Sequence, residues 1–168
     1  MRNQVFFVLA ASMITFAADS ATPPPGWRSP TTTETQGELR SKDPRAFLTV
    51  RADFDGDGIQ DVAQLLVNTD GTKYSLLVFS SKLRKWLQTG LADGPIKQLP
   101  NFGIEKVVPG SYETACGKGY GDYACAHGEP KTLKLLFPAI DYFYYESSDS
   151  VIFWDGKTGR FRSVLMSD

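Results

Sequence analysis

From Ala46 onward the chain alternates apolar and polar side chains with a period of two. Leu48, Val50 and Ala52 alternate with Thr49 and Arg51, the pattern of a strand with one buried face. The same reading predicts strands over 62–67, 74–79, 83–88, 103–108, 132–137, 140–145, 151–154 and 161–166. Asn68-Thr69-Asp70-Gly71 and Asp155-Gly156-Lys157-Thr158-Gly159 supply turn chemistry between neighbouring strands. No window carries a long run at helical spacing with caps. The pattern therefore predicts an all-β domain of about eight or nine short, mostly antiparallel strands, arranged as a sandwich, a barrel or a partial propeller.

The chain upstream of Ala46 reads differently. Met1-Arg2-Asn3-Gln4 carries one positive charge and precedes the apolar run Val5-Phe6-Phe7-Val8-Leu9-Ala10-Ala11, with small residues around Ala17. This is the layout of a secretory signal peptide over residues 1–17, and it implies a periplasmic or secreted protein. Residues 18–45 hold Pro23, Pro24, Pro25 and Pro30, with Thr31-Thr32-Thr33 and few aliphatic side chains, the composition of a flexible lead-in. A single β domain is expected over 46–168.

Composition narrows the partners. The 168 residues carry 18 basic and 19 acidic side chains, a net charge of −1, which excludes the simplest electrostatic case for a nucleic-acid or anionic-membrane binder. No stable membrane anchor is expected. Export also changes the reading of the two cysteines. In an oxidising compartment Cys116 and Cys125 are expected to form a disulfide. The rival arrangement, zinc held by Cys116, Cys125 and His127, offers only three ligands at an unusual spacing.

One segment carries metal chemistry. Asp53-Phe54-Asp55-Gly56-Asp57-Gly58-Ile59-Gln60-Asp61 places carboxylates at the first, third, fifth and ninth positions of a loop, with glycine at the sixth, where the chain must turn. Alternate acidic side chains can converge on one hard cation, so Ca2+ is the expected ligand, held by Asp53, Asp55, Asp57 and Asp61 and by the backbone carbonyl of Ile59. The loop is EF-hand-like but departs at the twelfth position, where Gln64 replaces the bidentate glutamate and falls in a predicted strand. The segment resembles the calcium loops of integrin-type FG-GAP and VCBS-like repeats, which implies a structural calcium loop between two strands.

The second distinctive segment runs from Tyr112 to His127 and combines glycines with three tyrosines around the expected disulfide. Tyr112, Lys118, Gly119, Tyr120 and Tyr123 are candidate partner-binding residues, because tyrosine offers a large contact area with a polar tip and a bridge lowers the cost of ordering the loop. A stabilising Ω-loop accounts for the same residues. With the calcium loop and the C-terminal Glu146-Ser147-Ser148 and Phe153-Trp154-Asp155 segments, the whole chain resembles periplasmic immunity proteins of antibacterial type IV secretion systems. It is similar also to periplasmic lysozyme inhibitors, whose Ser-Gly-x-x-Tyr loop enters the enzyme's cleft. Cys116-Gly117-Lys118-Gly119-Tyr120 matches the glycine and tyrosine of that signature but not the serine. The resemblance implies a non-catalytic inhibitor of a peptidoglycan hydrolase or lysozyme-like enzyme.

Two other functions fit parts of the sequence. A carbohydrate- or cell-wall-binding module would use Tyr142-Phe143-Tyr144-Tyr145 with Phe153 and Trp154, although alternation along a strand sends half of that run into the core. A small secreted hydrolase would need paired carboxyl groups, for which Glu105, Glu113, Asp122, Glu129 and Glu146 are available without any pairing legible in sequence. No residue is assigned a catalytic role.

Overall fold

The computed structural model describes residues 21–120, 125 and 129–167. The expected signal segment, residues 1–17, lies outside the described residues. Among the described residues, eleven strands form antiparallel sheets that do not close into a barrel, so the all-β expectation holds and the barrel form of it does not.

The first sheet holds β1 (Trp27–Arg28), β2 (Thr49–Ala52), β3 (Asp61–Asn68), β4 (Lys73–Ser80) and β5 (Lys85–Pro95). β3 pairs with β4 on one side, and on the other with β2 at Asp61–Gln64 and with β1 at Val67–Asn68. The second sheet runs β11 (Arg160–Ser167), β10 (Asp149–Asp155), β9 (Ala139–Tyr144) and β6 (Phe102–Val107). β7 (Gly110–Glu113) and β8 (Thr132–Leu135) form a separate hairpin.

Side-chain alternation stacks these sheets in three layers. Ala63, Leu65 and Val67 of β3 and Tyr74, Leu76 and Val78 of β4 meet Ile104, Ile140 and Ile152 of the second sheet in the main core. On its other face the second sheet turns Ala139, Val151, Val164 and Met166 toward Leu133 and Leu135 of the hairpin, making a smaller second core. β9 and β10 of the middle sheet thus divide their alternate residues between the two cores, which is why they read as aromatic and aliphatic on both faces.

The residues expected to form a lead-in contribute to this fold. Beyond β1, the short helix α1 (Thr32–Thr35) is closed by a capping box between Thr31 and Glu34. Glu34 also receives both ends of the Arg28 guanidinium, at 2.7 and 2.6 Å, and this pairing holds its carboxyl down near 2. Arg40 is buried and donates to the carbonyls of Ala46 (2.8 Å), Leu99 (3.1 Å), Pro100 (3.2 Å) and Phe102 (2.5 Å). Proline-rich composition hides this anchoring, because three of the partners are backbone carbonyls far along the chain. β7 likewise lies outside the strand pattern, since four residues beginning Gly110-Ser111 show no alternation to read. Among the described residues no helix is long and apolar enough to cross a membrane.

Candidate functional site

The Asp-rich segment forms the connection between β2 and β3, whose ends meet where Ala52 pairs with Asp61. Phe54 anchors it by entering the main core, 1% exposed. Gly56 and Gly58 take left-handed backbone at φ +74° and +86°, conformations that an L side chain rarely adopts. The loop is further drawn in by Asp53: one carboxylate oxygen accepts the N–H groups of Gly56 (2.8 Å) and Asp57 (3.0 Å), and the other accepts that of Gly58 (2.9 Å).

Carboxylate oxygens of Asp53, Asp55 and Asp61 all lie within 4.8 Å of one another. Asp61 is buried and is held from two sides, its Oδ2 accepting from the N–H of Phe54 (3.2 Å) and its Oδ1 from that of Ser81 (2.9 Å). Burial raises the pKa of Asp61, and burial followed by the neighbouring Asp57 charge raises that of Asp55. Three carboxylates gathered this closely could hold a metal ion.

Asp57 is not in that trio. Its Oδ1 accepts the N–H of Ile59 at 2.8 Å, while its Oδ2 is buried without a hydrogen-bond partner. Ile59 is half exposed at the rim of the loop. Gln64 is not brought to the cluster: it sits three residues along β3 and its Nε2 approaches Thr49 Oγ1 at 3.4 Å. The side chains gathered there offer carboxylate oxygens, a hard set without nitrogen or sulfur.

The Gly/Tyr segment is built on the other end of the β7–β8 hairpin, where Glu113 pairs with Thr132. Thr114 is fully buried, donates its hydroxyl to the Pro130 carbonyl (2.6 Å) and accepts the Gly117 N–H (3.2 Å), capping the short helix α2 (Ala115–Lys118). Gly119 ends α2 at φ +78°, and the Tyr120 N–H returns to the Ala115 carbonyl at 2.9 Å. Cys116 and Cys125 are joined by a disulfide, with Cα atoms 5.0 Å apart, so neither is a free thiolate for zinc.

The candidate partner-binding residues divide. Tyr120 is 54% exposed beyond the end of α2. Lys118 is exposed along its stem, with Nζ donating to the Met166 carbonyl at 3.0 Å. Tyr112 is turned inward instead: it packs on the second core, and its hydroxyl donates to the Val108 carbonyl at 2.8 Å. Tyr123, with Asp122 and His127, lies outside the described residues.

The aromatic run of β9 is half-buried, with Tyr144 exposed at its end. Tyr142 stacks on Phe102 at 5.0 Å and shares a 2.7 Å hydroxyl contact with Tyr74, while Phe143 meets Phe47 edge-on at 5.5 Å. Of the acids considered for hydrolysis, Glu105 lies opposite Asp141 on the paired strands β6 and β9, and Glu129 accepts the Leu165 N–H at 3.2 Å. Asp141 itself escaped the sequence reading. Burial first, and the charges of Asp149 and Glu105 next, push its carboxyl up to about 7. No local motif marks it, because its neighbours come from two other strands. No protein-family model, curated protein or solved structure matches the chain.

Proposed function

We propose that this chain is an exported, calcium-binding, non-catalytic β protein that binds and inhibits a peptidoglycan hydrolase. Asp53, Asp55 and Asp61 would hold Ca2+, and the unpartnered Asp57 oxygen adds a fourth carboxylate to the same loop. The ion would cancel mutual repulsion among these acids and tie the end of β2 to that of β3. The disulfide supports an oxidising compartment.

The observation that carries the inhibitor reading is Tyr120. A large amphipathic ring stands exposed on a turn that a buried threonine cap, a left-handed glycine and a disulfide all constrain. Such a residue loses little further freedom when it enters an enzyme cleft. Tyr112, spent on internal packing, is not part of the proposed contact, and Lys118 and Gly119 adjoin Tyr120 in it.

The test is muramidase activity titrated with purified protein across a panel of lysozyme-fold hydrolases. Wild type is expected to inhibit at least one enzyme, with a Tyr120→Ala variant at least tenfold weaker. Equal inactivity of both proteins across the panel would overturn the reading. Binding to purified peptidoglycan in the absence of a hydrolase would point to a cell-wall module, and release of products from it to an enzyme. The cation is tested separately: millimolar Ca2+ should raise the melting temperature of wild type and leave an Asp55→Ala/Asp57→Ala variant unmoved, since a ligand stabilises only the fold that binds it.

A further inference from the structure

A cleft of about 460 Å³ opens beside the Asp-rich loop, between the β8–β9 connection and the β10–β11 turn. Phe54, Phe153 and Trp154 line it, and the connection's Leu136 and Phe137 stand at its edge, 81% and 40% exposed. Aliphatic and aromatic surface left uncovered at a concave site is the usual mark of a docking surface. The cleft also has a charge. Lys134, Lys157 and Arg162 line it against one acid, Asp155. That acid is already engaged, its Oδ1 accepting the Lys157 N–H at 3.0 Å and its Oδ2 facing Arg162 Nη1 at 3.5 Å. A positive rim on a chain of net charge −1 is a local arrangement that the overall composition does not account for.

We infer that this cleft docks an acidic segment of a protein partner carrying apolar side chains between its carboxylates. A peptide fits better than an acidic sugar for two reasons on the surface itself. The most exposed apolar residue is the aliphatic Leu136, which offers no flat face to a sugar ring. Trp154, the largest ring, is half-buried and packs against Phe161 in a T-shaped contact at 5.3 Å and 69°, so part of its surface is committed to the fold. The site is distinct from Tyr120. Leu135, which lines the cleft, pairs with Gly110 at one end of the β7–β8 hairpin, whereas α2 leaves from Glu113 at the other.

Panning a random dodecapeptide phage library on the full disulfide-bonded chain tests the inference. Enriched peptides are expected to carry two or more acidic residues flanking Leu or Phe. A synthetic copy should bind at least tenfold more weakly to a Lys134→Glu/Lys157→Glu variant and to a Leu136→Ser variant, and more weakly in high salt. These positions are exposed, and circular dichroism checks that the variants keep the fold. A Tyr120→Ala variant should bind the peptide as wild type does, which separates this outcome from any failure of the hydrolase reading. The inference is overturned if no peptide is enriched, if the enriched peptides are neutral or basic, or if charge reversal leaves their affinity unchanged. It is overturned equally if oligogalacturonate, and not the peptide, loses binding on charge reversal, which would assign the cleft to an acidic glycan.

Discussion

Two glycines in the Asp-rich loop look alike in sequence and differ in what surrounds them. Both have positive φ, but a Cβ on Gly58 would meet nothing within 4 Å, while one on Gly56 would lie 2.1 Å from the Phe137 ring. Gly58→Ala is therefore expected to cost about 1 kcal/mol, from backbone strain alone. Gly56→Ala should cost about 2–4 kcal/mol, because strain and overpacking act together. Urea denaturation of the two variants measures the difference, and equal losses would mean that the ring yields freely. Asp141 provides a second prediction at this scale. Its folded pKa of about 7 lies above the ordinary carboxylate value, so the fold favours the protonated form. The stability this contributes is complete below about pH 4 and is lost as pH rises through about 7. Asp141→Asn should consequently gain on wild type by about 1–2 kcal/mol between pH 5 and pH 8, after allowance for solvent screening. Parallel stability curves for the two proteins over that range would contradict it.

At the scale of elements, what sequence reveals depends on how local the cause is. The main strands were legible because alternation is written into consecutive residues, and the carboxylate trio because all its members fall within one short segment, 53–61. β5 extends to Pro95, well past the apolar pattern that ends near Gln88, because its pairing with β4 continues across a bulge at Ser75–Leu77. The cleft was not legible at all, since Phe54, Leu136 and Trp154 are brought together only by the layering of sheets. Arg40 is the clearest case of a distant cause. A charged residue in a polar, proline-rich stretch reads as solvated, yet it is 3% exposed and bridges the N-terminal segment to three carbonyls around the turn into β6, besides that of Ala46. Burial lowers its pKa to about 10, which leaves it charged at neutral pH. Arg40→Ala strips those carbonyls of their donors, and the expected loss is at least about 3 kcal/mol in chemical denaturation. A loss below 1 kcal/mol would show that the segment 27–45 is held by β1 and α1 without it.

For the whole molecule, the β7–β8 hairpin separates two devices. At one end a disulfide fixes the turn that presents Tyr120; at the other, Phe137 rests on the Gly56 backbone and links the cleft wall to the Asp-rich loop. They share no residue and lie at opposite ends of the hairpin, so each end should respond to its own perturbation. Cys116→Ser/Cys125→Ser is expected to lower stability by about 2.5–3 kcal/mol, the loop-closure value for so short a bridge. The same variant should keep in full whatever gain in stability Ca2+ gives the wild type under the proposed function. A double-mutant cycle with Asp55→Ala/Asp57→Ala in millimolar Ca2+ makes this quantitative: independent ends give a coupling below about 0.5 kcal/mol. A larger coupling would mean that the sheets transmit strain from the loop to the disulfide turn. Binding at the cleft and presentation of Tyr120 would then be one linked event, and the partner of one site would change the affinity of the other by the same factor.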